Sequence, residues 1–243
     1  MDSSLAIEFN NLGAHFLREG HRSEAMILFK GASQLMTLIL SQGSNSTASV
    51  SAHEDPRIAR AHLIYSKYKF LKDSASSFRE SRSAGGENPN INSSRSFVYQ
   101  EALTLSEDDF PREEDLKITL SCSAILYNVA LVFHLDAIDT VLETSGQRAL
   151  KLYEMAFELL YIDSILKLES TLKLRVIMYC LNNMASLNHE LTHWERSAQC
   201  LKRLVSIATI IQARGAGSAL QAECQTFLLN ALALKRPNRA PAA

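Results

Sequence analysis

Residues 189–193 read His-Glu-Leu-Thr-His, the most reactive combination of side chains in the chain. On a helix this spacing puts two imidazoles on one face as zinc ligands and places the glutamate to activate a water molecule. The pattern therefore raises the hypothesis of a zinc metallopeptidase, with His189 and His193 as ligands and Glu190 as the general base.

The residues that follow do not complete such a site. Where gluzincins carry a third ligand, Gln212 and Ala213 stand, and the third histidine of metzincins is also missing. The helical repeats described below place Thr192 at a turn between two helices, which would separate the two histidines. We find neither a Gly-x-Ser-x-Gly pattern nor a phosphate-binding glycine loop. The sequence thus predicts no enzyme, catalytic residue, cofactor or metal site, with the peptidase as a distant alternative.

The composition favours an all-α fold. Glycine (9) and proline (5), which helix interiors tolerate poorly, are scarce among 243 residues. Hydrophobic residues make up 47% and charged residues 21%, which is ordinary for a folded soluble protein. The net charge of −1 provides no strong field toward nucleic acid or anionic lipid, so neither partner is expected.

The expected location is the cytoplasm, with the nucleus as the alternative. The polar start of the chain lacks the features of a secretory signal. The longest apolar stretch, Ala124–Leu135, is shorter than the roughly 18 residues of a membrane span. Four widely spaced cysteines are expected to be free, buried thiols in a reducing compartment. They are Cys122, Cys180, Cys200 and Cys224.

An internal repeat organises the chain. Its first copy spans Ala6–Leu40 and is defined by large and small residues at fixed spacing. These are Phe9, Leu12, Gly13 and Phe16, then Ala25, Phe29 and Ala32. Large residues three and four apart form one apolar face on each of two helices, and the small residues let the helix backbones approach. A single pair cannot bury that face alone and needs neighbours.

Two further copies follow in the same phase. The second contains Leu126, Val129, Ala130 and Phe133, then Ala149, Tyr153 and Ala156. The third contains Leu181, Met184, Ala185 and Asn188, then Ser197, Leu201 and Leu204. Long inserts separate the three copies, so they do not form a tandem array with a regular period.

This pattern resembles the tetratricopeptide (TPR) repeat. The resemblance implies a single domain over residues 1–243, built as an α-solenoid of stacked antiparallel helix pairs. A last helix, Ser218–Lys235, is predicted to cap the stack. The order of elements also resembles a group of algal TPR-like proteins with a phenylalanine-containing last helix and an Ala-Pro-Ala-Ala tail, a resemblance that carries no assigned activity.

The segments between the repeats are of three kinds. Residues 41–54 and 73–96 are rich in polar and small residues and are predicted to be disordered loops. A helix is predicted between them, from Asp55 to about Lys72. Phe97–Leu105 is predicted to be an extended segment across the helix stack. It is interpreted either as a linker with anchoring side chains or as a built-in peptide that occupies part of the binding groove.

The resemblance also implies a concave groove lined by the first helix of each copy. The residues at the matching positions are Asn10, Ala14 and Leu17, then Tyr127, Leu131 and His134, then Asn182, Ser186 and His189. Each copy adds an asparagine beside its core residue: Asn11, Asn128 and Asn183. A side-chain amide both donates and accepts hydrogen bonds, so three in line could hold an extended chain. Hydrogen bonding within the helix pairs is the alternative role.

The predicted function is that of a protein-interaction scaffold, a monomer that holds a peptide or helix of an unidentified protein partner. The positions at which some TPR domains bind a terminal carboxylate carry Asn10, Tyr127 and Asn182 here. A buried carboxylate would be costly without a cation, so a neutral ligand is expected. The alternative is a structural subunit fixed within a larger complex.

Overall fold

The computed structural model describes residues 3–46, 98–111, 113–161, 170–213 and 218–235. These ranges contain seven α-helices, one short 3-10 helix (Glu107–Asp109) and no β-strand. The α-helices are α1 (Ser4–Arg18), α2 (Arg22–Ser46), α3 (Glu114–Thr140), α4 (Glu143–Tyr161), α5 (Thr171–Glu190), α6 (Trp194–Ala213) and α7 (Ser218–Lys235). The predicted all-α class is confirmed.

Helices that are neighbours in the sequence are neighbours in space. The pairs α1–α2, α3–α4 and α5–α6 pack as hairpins, and α2–α3, α4–α5 and α6–α7 pack against each other in turn. Each hairpin turn has a residue of positive φ: Gly20 at 85°, Val141 at 56° and Thr192 at 61°. The turns are only two or three residues long, so the paired helices must run antiparallel.

Helix α3 is the centre of the core. Every residue from Thr119 to Leu135 is buried, because α1, α2, α4 and α5 all contact this helix. Of the described helices, α3 alone is long and apolar enough to cross a membrane by length and composition. The sequence-based expectation, that no apolar stretch is long enough to span a membrane, was therefore too strict. Within the protein 94% of that apolar window is buried, as in the core helix of a soluble protein.

The prediction of a loop over residues 41–54 is wrong for residues 41–46. Helix α2 continues through Ser46, because its apolar stripe reaches the buried Leu40 and the polar residues beyond it are compatible with a helix. The remainder of that loop, the predicted helix after Asp55 and the predicted disordered loop at 73–96 lie outside the described residues.

The predicted C-terminal helix is confirmed as α7, with the predicted bounds. Its inner face buries Leu220, Cys224, Phe227 and Ala231, and it packs on α6 and α5. Three of the four cysteines are buried, Cys200 is half-buried, and all four are free thiols.

The first hairpin depends on close contact at Gly13. The fully buried ring of Phe29 covers this glycine, and a methyl group added there would lie 2.7 Å from Phe29 Cε1. Gly31 faces the ring of Phe9 in the same way, at 2.9 Å from Cδ2, but that ring is only half-buried and can move.

We expect Gly13→Ala to lower the free energy of unfolding by about 2 kcal/mol, because the buried Phe29 ring cannot move aside. Gly31→Ala is the matched control, and its gain in helix propensity should offset the small shift of Phe9. Urea denaturation followed by circular dichroism measures both. Equal stability of the two variants would contradict the close packing at Gly13.

Candidate peptide-binding face

Residues 98–105, called the strap below, cross three helices in succession. Tyr99 lies on α5, Leu103 on α3 and Leu105 on α1, as their hydrogen bonds show. Adjacent helix axes lie about 8–10 Å apart, so the crossing covers roughly 16–20 Å. The six Cα–Cα steps from Tyr99 to Leu105 reach about 20 Å only when the chain is fully extended. The strap is therefore extended, as predicted.

Three asparagines hold the strap by its main chain. Each side-chain amide accepts a hydrogen bond from the N–H of one strap residue and donates one to the C=O of the same residue. The accepting and donating distances are 2.8 and 3.1 Å for Asn183 with Tyr99, 2.8 and 2.8 Å for Asn128 with Leu103, and 2.7 and 2.7 Å for Asn11 with Leu105.

Asn10 and Tyr127 complete this arrangement. Asn10 Nδ2 donates to Leu103 O at 2.9 Å, and its Oδ1 accepts from Asn128 Nδ2 at 2.8 Å. The Tyr127 hydroxyl lies 3.2 Å from the carbonyl oxygens of both Tyr99 and Glu101. We call the surface formed by Asn10, Asn11, Asn128 and Asn183 the asparagine face. Its bonds go to backbone atoms, so they can hold an extended chain whatever its side chains.

The strap side chains alternate between buried and exposed near its end. Leu103 and Leu105 are buried in the main core, whereas Thr104 between them is exposed. Val98 and Ala102 are also buried. The helix bundle therefore contacts the strap through small apolar sites as well as through the amides.

A larger site holds the side chain of Tyr99. Its ring centroid lies 4.0 Å from that of Tyr179 and 5.1 Å from that of Phe227. The Tyr99 hydroxyl donates a hydrogen bond to the Tyr179 hydroxyl at 3.0 Å. The Tyr179 hydroxyl in turn donates to Glu223 Oε2 at 2.9 Å. Glu223 in turn pairs with Arg175 at 3.1 Å. Burial raises the pKa of the Tyr99 phenol to about 12 and that of Tyr179 further, so both remain neutral donors.

This tyrosine site does not follow from the repeat pattern of the sequence. Tyr179 and Phe227 were not among the predicted groove residues, nor were Arg175 and Glu223. One feature of the sequence could have indicated the first of them. Tyr179 lies four residues before Asn183, so both project from the same side of α5.

The other predicted groove residues are enclosed within the protein. Ala14, Leu17, Leu131 and Ser186 are buried. The buried Asn182 accepts from Asn230 Nδ2 at 3.1 Å. An external ligand therefore cannot reach these five residues in this conformation, and the strap covers the asparagine face itself.

His134 is buried beneath the predicted groove. Its Nδ1 lies 3.4 Å from the Tyr153 hydroxyl, and its Nε2 has no hydrogen-bond partner among the residues that the structure describes. Because burial disfavours the charged imidazolium, the pKa of His134 is lowered to about 3. This histidine is a neutral core residue. It was expected to line an open groove, but the structure buries it instead.

The residues of the His-Glu-x-x-His pattern do not lie on one continuous helix. Helix α5 ends at Glu190, and Thr192 has the predicted turn conformation before α6 begins at Trp194. His189 packs edge-on against Trp194, with ring centroids 4.6 Å apart. The two histidines therefore do not share one helix face. Within the described ranges, no three His, Cys, Asp or Glu residues cluster closely enough to hold a metal ion.

No protein-family model, curated protein or solved structure matches the chain. The function must therefore be argued from the contacts of the asparagine face.

Proposed function

We propose that this protein is an interaction scaffold, a TPR-like α-solenoid whose asparagine face binds an extended segment of a partner protein. One observation carries the proposal: three amides on three helices each hold both backbone groups of one strap residue. The strap then occupies a ligand-binding groove as a tethered ligand.

The hydrogen-bonding groups of the asparagine face favour a neutral, extended ligand. Asn11, Asn128 and Asn183 each present one donor and one acceptor to the strap, which a peptide backbone satisfies in the same proportion. The side chains that hold Leu103, Tyr99 and Leu105 by their backbones carry no formal charge. A buried carboxylate or ammonium group would lack an opposite charge there.

The strap must compete with any partner for this face. A short tether gives a bound segment an effective concentration of the order of millimolar. A partner segment therefore binds when the strap has been weakened or displaced. This competition provides the test of the proposal.

We expect a Leu103→Asp, Leu105→Asp double variant, called the opened variant, to bind a free strap peptide. The substitutions would place two carboxylates in buried apolar sites, so the altered strap should leave the asparagine face. A fluorescent peptide of residues 98–106 should then bind at least about tenfold more tightly than it binds the wild type. Fluorescence anisotropy measures both affinities.

Thr104→Asp is the matched control, because it adds an acidic residue at an exposed strap position and should leave peptide binding as in the wild type. Circular dichroism must show native helicity in each variant. If the opened variant unfolds, Leu103→Ala, Leu105→Ala gives a milder release of the strap. A helical variant that binds no peptide would show that the strap is a structural linker and that the asparagine face binds no partner.

A fixed subunit of a larger complex is the second candidate. Leu229 and Leu232 on α7 are 67% and 64% exposed and lie three residues apart on the outer side of the last helix. Sedimentation of the purified wild type distinguishes the two functions. A stable monomer favours the scaffold, whereas aggregation that a co-purified partner relieves favours the subunit.

A further inference from the structure

Resting on the proposed function, we infer that the asparagine face selects partner segments that carry an unphosphorylated tyrosine four residues before a Leu-x-Leu pair. The partner is thus an extended, neutral segment of the form Tyr-x-x-x-Leu-x-Leu. Phosphorylation of its tyrosine weakens binding.

The spacing of the selected residues follows from the hydrogen bonds together with the side-chain sites. Alternate residues of an extended chain present their backbone groups on the same side, so the amides allow a shift of the ligand by two residues but not by one. Among these registers, the side-chain sites select the one in which Asn183, Asn128 and Asn11 hold positions equivalent to Tyr99, Leu103 and Leu105. At that register the side chains at the second and third positions enter the core, and the residue between them faces solvent.

The first ligand position accommodates both the aromatic ring and the hydroxyl group of a tyrosine. Tyr179 and Phe227 contact the ring, with centroids 4.0 and 5.1 Å away. A leucine would lose these aromatic contacts. The hydroxyl of Tyr99 meets the Tyr179 hydroxyl at 3.0 Å, so a ligand without a hydroxyl would lose that hydrogen bond as well.

A phosphate on this hydroxyl would approach a carboxylate. The Tyr179 hydroxyl already donates to Glu223 Oε2, so it cannot donate the same proton to a phosphate. Glu223 is held in place by Arg175 at 3.1 Å, so this guanidinium is already paired with a carboxylate. A phosphate group carries nearly two negative charges at neutral pH and would be repelled by the glutamate.

The test uses the opened variant with four fluorescent peptides of residues 98–106: the unmodified sequence, Tyr99→Leu, Thr104→Ala, and the sequence phosphorylated on Tyr99. We expect Tyr99→Leu and the phosphorylated peptide each to bind about tenfold more weakly than the unmodified peptide. Thr104→Ala should bind like the unmodified peptide, since this side chain is exposed.

A second protein variant tests the role of the carboxylate. Adding Glu223→Gln to the opened variant removes the negative charge and leaves Arg175 able to pair with a phosphate. The penalty for phosphorylation should then fall to about threefold or less, while the penalty for Tyr99→Leu remains. A general loss of structure would not change the two penalties differently.

The outcomes separate this inference from the proposed function. If the unmodified peptide does not bind the opened variant, the proposed function itself fails. If all four peptides bind equally well, the asparagine face recognises backbone alone and the inferred selectivity is wrong. An undiminished phosphorylation penalty in the Glu223→Gln variant would refute the role given to the carboxylate.

Discussion

Replacement of Asn128 by leucine is expected to lower the free energy of unfolding by about 3 kcal/mol. The leucine fills a similar volume but offers no hydrogen bonds. The Leu103 N–H and Asn10 Oδ1 then lose the partners that they have at 2.8 Å in the native protein. A buried polar group without a partner costs about 1–3 kcal/mol, and two such groups are created. Urea denaturation measures the loss.

Asn188→Leu is the matched control for this prediction. Asn188 is also buried on a helix, but its amide nitrogen donates to Met184 O of its own helix, and within the described part of the chain its Oδ1 has no hydrogen-bond partner. Leucine there removes an unsatisfied oxygen and should leave stability unchanged or slightly higher. Equal stability of Asn128→Leu and Asn188→Leu would show that the bonds of Asn128 to Leu103 and Asn10 contribute nothing to stability.

Acidification is expected to destabilise the protein through His134. Its pKa is lowered from 6.5 to about 3 in the folded state by burial. Below pH 6.5 the unfolded chain therefore binds a proton that the folded protein excludes, and stability falls steadily as the pH drops toward 3. The loss from this group alone should be about 3 kcal/mol at pH 4.5 relative to pH 7. Urea denaturation at a series of pH values measures it.

A His134→Phe variant isolates this contribution. Phenylalanine preserves the edge-on contact with Tyr153 but cannot be protonated. The decline of stability between pH 7 and 4.5 should therefore be about 3 kcal/mol smaller than in the wild type. His15→Phe, at an exposed position, should retain the full decline. Parallel curves for His134→Phe and the wild type would show that His134 is not the group responsible.

The sequence was most informative where a pattern is local. The apolar stripe of α7 ends before Pro237, and this was sufficient to give its bounds. Asn11, Asn128 and Asn183 could be selected because they occupy the same place in each repeat copy. Their joint contact with residues 98–105 was one of two open interpretations, because a linear sequence does not show which chain segment satisfies an amide.

The tyrosine site and the burial of the groove residues could not be predicted in this way. The site joins side chains of α5 and α7 to a strap residue about 80 positions away from Tyr179, and no local period connects them. His134 belongs to the central helix, whose residues are buried on every side from Thr119 to Leu135. Without an exposed side, α3 lacks the amphipathic pattern that distinguishes a groove position from a core position.

The strap also determines the order in which native contacts can form. The helix hairpins close turns of two or three residues, whereas the bonds of Asn10 and Asn11 to the strap close loops of 93 and 94 residues. Loop-closure entropy grows with the logarithm of length, so the long closures cost about 3 kcal/mol more than the short ones. We therefore expect the strap to dock on α1 after the helix hairpins have closed, whereas its contact with Asn128 of α3 closes only 25 residues. The reverse event, release of the strap, can occur while the helix pairs remain folded.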